Sequence, residues 1–377
     1  MMNTKKLGFG LMRLPLADPT DVTKVDYDTL CKMTDRYMEA GFNYFDTANP
    51  YHGGGNSEIA FRECIAKRYP RDSYTITNKL TFFIVQKAEE LEPFFAGQLE
   101  RCGVDYFDYY LLHSMNKDYL ELAEKIGAFD FVQKKKAEGK IRHIGFSFHD
   151  TADVLEDFLT RHPEMEYVQL QLNYADWENV EVQSRKNYET AVRHGKQILV
   201  MEPVKGGLLS NVPPEAEKLL KDEEPDMSVA SWAIRYVASL PNVAMVLSGM
   251  SNMEQMEDNL SYMADLKPLT ESEKQLVEQV AQIIVSKERI ACTGCRYCTD
   301  GCPQKIGIPD FFKLMNDICK FGDRQVQMSK NYYNHYTGTL GMGKASACIQ
   351  CGQCESKCPQ HLPIIKYLED TAEMLES

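Results

Sequence analysis

Eight of the twelve cysteines fall into two runs of identical spacing, and this feature limits the fold of the chain more than any other. Each run reads Cys-x2-Cys-x2-Cys-x3-Cys-Pro. Three thiolates at this pitch hold one face of a 4Fe-4S cluster, and the fourth typically binds the other cluster of a two-cluster protein. We therefore expect two clusters with crossed ligand sets. The first set is Cys292, Cys295, Cys298 and Cys358, and the second is Cys348, Cys351, Cys354 and Cys302.

Structural zinc is the alternative for a group of four cysteines. Zinc sites, however, use separated Cys-x2-Cys pairs rather than four cysteines in one run. Disulfides are not expected, because the N-terminal apolar stretch is broken by Arg13 and does not read as a secretory signal. A reducing, cytoplasmic compartment is the expectation. The other four cysteines share no spacing and are expected to be buried structural thiols: Cys31, Cys64, Cys102 and Cys319.

The two runs resemble those of bacterial two-cluster ferredoxins. Both runs continue with Cys-Pro-Gln and then a helical pattern, which indicates an internal duplication. The segment between them is longer than in compact ferredoxins and has helical patterning around residues 311–319. The resemblance therefore implies a mainly helical ferredoxin-like domain with two 4Fe-4S clusters over residues 288–377.

Length and charge limit the remaining possibilities. At 377 residues the chain exceeds a single hydrophobic core, so two domains are expected. The formal net charge of −13 opposes phosphate backbones and anionic lipid, and no apolar run approaches the length of a membrane span. Nucleic acid and membrane partners are therefore not expected, whereas a small-molecule substrate is expected.

The N-terminal part alternates short apolar strands with helical stretches. Eight strands can be assigned: residues 7–12, 43–48, 74–79, 106–113, 141–148, 168–174, 197–203 and 243–249. Eight strand–helix units predict an α/β fold, a (β/α)8 TIM barrel, over residues 1–266, followed by a linker helix at 267–287. An open doubly wound sheet is the alternative. It is disfavoured because no G-x-G-x-x-G follows the first strand.

In such a barrel the chemistry lies at the C-terminal ends of the strands. Polar residues stand there: Asp46 ends the second strand, Tyr51 follows in its loop, Lys79 ends the third and His113 the fourth. These residues are the candidate catalytic group.

The sequence around these residues is similar to motifs of the aldo/keto reductase family. The other matching motifs are Ser57-Glu58, Asn-Lys79, Leu-Leu-His113 and Gly139-Lys-Ile-Arg-His-Ile-Gly-Phe-Ser147. The resemblance implies an oxidoreductase in which Tyr51 donates a proton to a carbonyl oxygen. Lys79 would lower the pKa of Tyr51, Asp46 would pair with Lys79, and His113 would orient the carbonyl. A structural ion pair without turnover is the alternative.

The resemblance also implies a nicotinamide site. Ser147 and Gln171 would hold the carboxamide, and seven further residues would lie along the dinucleotide: Glu202, Lys205, Gly206, Gly207, Ser248, Ser251 and Asn259. The chain departs from the family at three positions. Met201 replaces an aromatic residue, and Met250 and Gln255 replace the lysine and arginine that hold a 2′-phosphate. The choice between NADP and NAD therefore stays open.

The loop after Tyr51 also departs from the family, with the insertion His52-Gly-Gly-Gly-Asn56. It either shapes the mouth of the substrate site or forms a solvated turn, since consecutive glycines provide positive φ angles but no chemistry.

The leading hypothesis is an iron–sulfur oxidoreductase that uses a nicotinamide on a carbonyl or alcohol substrate, with clusters that exchange electrons with a carrier protein. Clusters move single electrons, whereas nicotinamide moves two electrons as a hydride. Two alternatives follow from this mismatch. One is a nicotinamide-independent, flavin-linked oxidoreductase coupled to ferredoxin, and the other is a non-catalytic electron-transfer or regulatory subunit.

Overall fold

A computed structural model of the chain describes residues 5–299 and 301–377. Its described residues form two compact units. The first unit comprises Met1–Gly206 and Ala230–Glu271, of which residues 1–4 lie outside the description, and the second comprises Gly207–Val229 and Ser272–Ser377.

The first unit contains a closed barrel of eight parallel strands in the order β1 to β8, as the alternation of strands and helices predicts. The strands are β1 Leu7–Gly10, β2 Tyr44–Asp46, β3 Thr75–Thr81, β4 Phe107–Met115, β5 Ile141–Phe148, β6 Tyr167–Gln171, β7 Gln197–Met201 and β8 Val243–Ser248. β1 pairs with β8, which closes the barrel and rules out the open sheet.

Helices surround the strands. They are α1 Tyr27–Glu39, α2 Asn56–Phe61, α3 Ala88–Cys102, α4 Lys117–Lys125, α5 Ala128–Ala137, α6 Ala152–Arg161, α7 Ser184–Arg193, α9 Val229–Ala238 and α10 Met253–Met263. Local sequence sets several ends. Asp26 caps α1 by accepting a hydrogen bond from the Thr29 N–H, and Gly103 ends α3 with a φ of 68°.

Large side chains fill the barrel interior, so it is a packed core. The interior cluster consists of Tyr44, Tyr109, Leu111, Tyr167, Leu199, Met245 and Leu247. Gly145 makes room for one of these rings. A Cβ at Gly145 would overlap the carbonyl oxygen of Tyr167 and lie 2.9 Å from its ring.

We expect Gly145→Ala to destabilise the barrel by about 2–3 kcal/mol, because the added methyl group meets strand backbone that must shift. Thermal unfolding measures the effect. Gly338→Ala is the matched control, since a Cβ there meets nothing within 4 Å. Equal melting temperatures for the two variants would contradict the packing argument.

The second unit is helical. Its helices are α8 Pro214–Glu223, α11 Glu271–Ser286, α12 Ile308–Phe321, α13 Val326–Asn334, α14 Gln353–Lys357 and α15 Ile364–Leu375. α11 falls within the predicted linker and α12 within the helical pattern between the cysteine runs. Phe311, Phe312 and Leu368 are almost fully buried in its core. The predicted domain boundaries stay a prediction. In the structure, the segment Gly207–Val229 clusters with the C-terminal residues rather than with the barrel.

That segment is tied to the C-terminal residues by polar contacts. Arg324 Nη1 donates to Asn211 Oδ1 at 2.6 Å, and Lys287 pairs with Glu215. Among the described residues, no helix is long and apolar enough to span a membrane.

Candidate functional site

The four candidate catalytic residues meet at the C-terminal end of the barrel. Lys79 is fully buried, and its ammonium donates to three acceptors: Asp46 Oδ1 at 2.6 Å, the Thr47 carbonyl at 2.9 Å and Tyr51 Oη at 3.3 Å. Three N–H groups thus meet three acceptors, an arrangement that the charged amine satisfies completely. Because Tyr51 accepts from Lys79, its own hydroxyl proton is left to donate elsewhere.

Burial and charge oppose each other at this site. Burial acts to lower the pKa of Lys79, but the neighbouring Asp46 and Tyr51 outweigh it and raise that pKa, which favours the ammonium. Burial raises the pKa of Tyr51, and the Lys79 charge lowers it only in part. The expectation that Lys79 lowers the pKa of Tyr51 therefore describes one contribution. The pKa of Tyr51 is raised overall, because the phenol is desolvated.

His113 stands beside the phenol. Its ring centre is 6.3 Å from that of Tyr51, and its Nδ1 is 3.1 Å from Thr81 Oγ1. Burial, helped by the Lys79 charge, holds the pKa of His113 well below its usual value, so the ring is neutral near pH 7. When Thr81 donates to Nδ1, the ring proton lies on Nε2 and can be donated to a bound oxygen.

Two further contacts support this group, one from a residue outside the motifs and one from the Ser57-Glu58 motif. Gln169, two residues before Gln171 on β6, donates to Asp46 Oδ2 at 3.3 Å. Behind Lys79, buried Glu58 accepts from Asn78 at 2.8 Å and from Gln98 at 3.1 Å. Strand alternation places Gln169 on the same face as Gln171, so the first contact could have been inferred from spacing.

The loop after Tyr51 is an anchored turn. His52 is 8% exposed; the Leu14 N–H donates to its Nε2 at 3.2 Å, and its Nδ1 donates to the Val22 carbonyl at 2.7 Å. Residues 52–55 all have positive φ angles, which three glycines make accessible. His52 therefore ties the Tyr51 loop to the segment after β1.

We expect His52→Ala to lower the free energy of unfolding by about 1–3 kcal/mol, because it leaves the Leu14 N–H and the Val22 carbonyl without their partner. Thermal unfolding is the measurement. His194→Ala is the control: His194 bonds Glu156 on the surface, and exposed pairs of this kind contribute little. If both variants melt alike, His52 does not anchor the loop.

The structure gathers only part of the predicted nicotinamide set. Arg13 Nη2 is 3.9 Å from Glu202 Oε1, and a Cβ at Gly206 would lie 3.2 Å from the same Nη2. Ser251 Oγ donates to the Arg13 carbonyl at 2.9 Å. Glu202, Gly206 and Ser251 thus surround Arg13, a residue that the sequence motifs did not single out.

The other residues of the predicted nicotinamide set have protein partners, are buried, or belong to the segment that begins at Gly207. Lys205 pairs with Asp176 at 2.6 Å, and Gln171 donates to the same carboxylate at 3.3 Å. Ser147 Oγ accepts from the Ser114 N–H at 2.7 Å. Ser248 is buried at the end of β8, and Gly207 begins the segment that clusters with the second unit.

Asn259 offers a free acceptor. Its Nδ2 donates to the Gln255 carbonyl at 2.9 Å, whereas its Oδ1 is buried and has no hydrogen-bond partner among the described residues. A buried oxygen without a hydrogen-bond partner is suited to a ligand that donates a hydrogen bond.

In the second unit the two cysteine runs surround two cavities. One is lined by Cys292, Cys295, Cys298 and Cys358. The other is lined by Cys302, Cys348, Cys351 and Cys354. Each cavity thus takes three cysteines from one run and the fourth from the other, which is the arrangement of the two predicted ligand sets.

The backbone around the two cavities repeats. Positive φ angles recur at three equivalent pairs of positions: Gly294 and Gln350, Arg296 and Gly352, Lys305 and His361. One consequence is visible at the second cavity, where the Gln350 N–H donates to Cys348 Sγ at 3.4 Å. Amide donors of this kind stabilise thiolates that bind iron, so the residues present fit a cluster.

Comparisons with known proteins agree with both units. The Aldo/keto reductase family matches residues 6–282, and the 4Fe-4S dicluster domain matches residues 291–363. The uncharacterized oxidoreductase YqkF of Bacillus subtilis is 26% identical, covering 68% of this chain and 89% of that protein. The NADH-specific methylglyoxal reductase of Escherichia coli is 25% identical, covering 60% and 81%.

Among solved structures, the aldo-keto reductase AKR11C1 from Bacillus halodurans (holo form) is 25% identical, with a TM-score of 0.57 and coverage of 73% of this chain and 91% of that one. The family match spans well over half of the sequence. The chain therefore belongs to the aldo/keto reductase family, and it is an iron–sulfur oxidoreductase with a C-terminal 4Fe-4S dicluster domain.

Proposed function

We propose that the barrel reduces a small carbonyl compound, or oxidises the matching alcohol, with a nicotinamide dinucleotide as hydride carrier. The observation that carries the proposal is the contact of the Lys79 ammonium with both Asp46 and Tyr51 at the C-terminal end of the barrel. Two related proteins, named NADH-specific methylglyoxal reductase and L-galactose dehydrogenase, support this substrate class.

In this proposal Tyr51 Oη gives its proton to the substrate oxygen, and Lys79 stabilises the phenolate that remains. Asp46, held by Gln169, fixes the ammonium. Neutral His113 donates from Nε2 to the same substrate oxygen and orients it. The bound nicotinamide supplies the hydride. Glu202, Gly206, Ser251 and Asn259 are the proposed contacts for the dinucleotide.

We further propose that each of the two cysteine sets holds one 4Fe-4S cluster. The first set is Cys292, Cys295, Cys298 and Cys358, and the second is Cys302, Cys348, Cys351 and Cys354. The clusters supply one-electron transfer, and a carrier protein is the proposed partner. A cytoplasmic location belongs to the same proposal, because cluster thiolates require a reducing compartment.

NADH should bind at least as tightly as NADPH. Met250 is fully buried and Gln255 Oε1 accepts from the Ser251 N–H, so neither offers a cation to a 2′-phosphate. Titration of tryptophan fluorescence measures both affinities, and the two tryptophans, Trp177 and Trp232, lie in the barrel unit. Tenfold tighter binding of NADPH would contradict this interpretation of the pocket.

The same titration separates the alternatives. Binding of neither nucleotide, together with a flavin spectrum, would replace the proposal with the nicotinamide-independent one. Nucleotide binding without turnover of any carbonyl would favour a non-catalytic subunit. Bleaching of the cluster absorbance by NADH under anaerobic conditions would show that hydride equivalents reach the clusters.

A further inference from the structure

Two cysteines of the barrel unit that sequence spacing does not connect lie side by side. Cys31 is in α1, and Cys64 is in the π-helical turn Arg62–Ala66 that follows α2. Their sulfur atoms are 3.0 Å apart, although the residues are 33 positions apart in the chain. Both are free thiols. Cys64 is buried, as expected of a structural thiol, whereas Cys31 is only partly buried.

One arginine holds the backbone of both cysteines. Arg68 Nη1 donates to the Cys31 carbonyl at 3.3 Å and to the Cys64 carbonyl at 3.2 Å. Its Nη2 is fixed in turn by both oxygens of Asp35 at 2.8 Å. The two segments are thus joined at the backbone next to the thiols, and a bond between the sulfur atoms would need little rearrangement.

The two thiols differ in access. Cys31 is partly exposed to solvent, whereas Cys64 is fully buried. A reagent therefore meets Cys31 first, and Cys64 is placed to react with whatever Cys31 has formed.

We propose that Cys31 and Cys64 are a reversible oxidation site that a low-molecular-weight disulfide such as oxidised glutathione converts to a protein disulfide. The Cys31 thiolate attacks one sulfur of the reagent, forms a mixed disulfide and releases one glutathione thiolate. The Cys64 thiolate then attacks Cys31 Sγ and releases the second. Two protein thiols lose two protons and two electrons, and one oxidised glutathione becomes two reduced molecules.

The second step should be the slow one. Burial, and then the contact with Cys31, raise the pKa of Cys64, so little of it is thiolate at neutral pH. The rate of disulfide closure should therefore rise with pH, while the mixed disulfide at Cys31 forms earlier.

Oxidation would connect α1 covalently to the turn after α2. α2 begins directly after the glycine-rich loop and carries Ser57, whose Oγ is 2.8 Å from Thr47 Oγ1 beside the catalytic lysine. The link closes a loop of about 34 residues, which restricts the unfolded chain. We expect the oxidised protein to melt several degrees higher than the reduced protein.

The test uses the full chain with its clusters, treated anaerobically with oxidised glutathione, alkylated and digested with trypsin without reduction. The expected product joins the peptide of residues 25–32 to the peptide of residues 63–67. It should disappear on reduction, and the rise in melting temperature should disappear with it. Cys31→Ser should show neither effect, whereas Cys319→Ser, a change in the other unit, should show both.

Recovery of Cys31 only as a glutathione adduct or alkylated thiol, with no joined peptide, would overturn the proposal. So would an equal rise in melting temperature for Cys31→Ser. Because Cys31 is the more accessible residue, its variant carries the test even if Cys64→Ser does not fold.

Discussion

Replacing Tyr51 by Phe should lower kcat/KM for the proposed NADH-dependent reduction of a small carbonyl compound by a factor of about 100 to 10,000, the range typical of a lost general acid. The reason is geometric. The phenol is the group that can pass a proton to a substrate oxygen while Lys79, 3.3 Å away, stabilises the anion. The affinity for NADH, measured by fluorescence, should change less than about threefold, since no step of binding uses the hydroxyl.

Tyr27→Phe is the matched control, because Tyr27 lies on α1 with an exposed side chain. It should leave both turnover and NADH affinity unchanged. Unchanged turnover in Tyr51→Phe would remove Tyr51 from the mechanism. Parallel loss of turnover and NADH binding would assign it a structural role.

The second large effect concerns iron content. If each cavity holds one cluster, the chain carries about eight irons, and Cys295→Ala should leave about four. Pairs of substitutions then show which cysteines share a cluster. Cys295→Ala with Cys358→Ala removes two thiols of one cavity and should still leave about four irons. Cys295→Ala with Cys302→Ala damages both cavities and should leave almost none.

Ligand sets confined to one run would give the opposite outcome, since Cys295 and Cys302 belong to the same run. Cys319→Ala is the control and should keep the full iron content, because Cys319 lines neither cavity. Circular dichroism of each variant shows whether its secondary structure is retained, which separates loss of a cluster from general unfolding.

The barrel could be predicted because its signal is local and repeated. Each strand is a short apolar run between helical patterns, and eight such units close in only one common way. The strand ends were predicted less exactly, since β1 stops at Gly10 and β6 at Gln171, two and three residues before their predicted ends. The chain leaves the sheet there to form the loops at the mouth of the barrel, and apolar composition alone does not mark that point.

The parts that sequence did not reveal depend on tertiary proximity. The 3.0 Å approach of Cys31 to Cys64 joins two elements with no common motif. The net pKa direction at Tyr51 depends on how far folding desolvates the phenol, which outweighs the lysine charge that the motif supplies. The ion pair between Lys205 and Asp176 likewise cannot be inferred from the residues next to Lys205 in the chain.

The sharing of each cavity between two distant runs also has a consequence for biosynthesis. A ribosome makes Cys292, Cys295 and Cys298 well before it makes Cys358, which lines the same cavity. The earlier thiols must therefore wait, reduced and incompletely enclosed, until the second run has been made. Iron–sulfur insertion therefore cannot be completed before the second run has been made, and a chain interrupted between the runs would be unable to complete even its first centre.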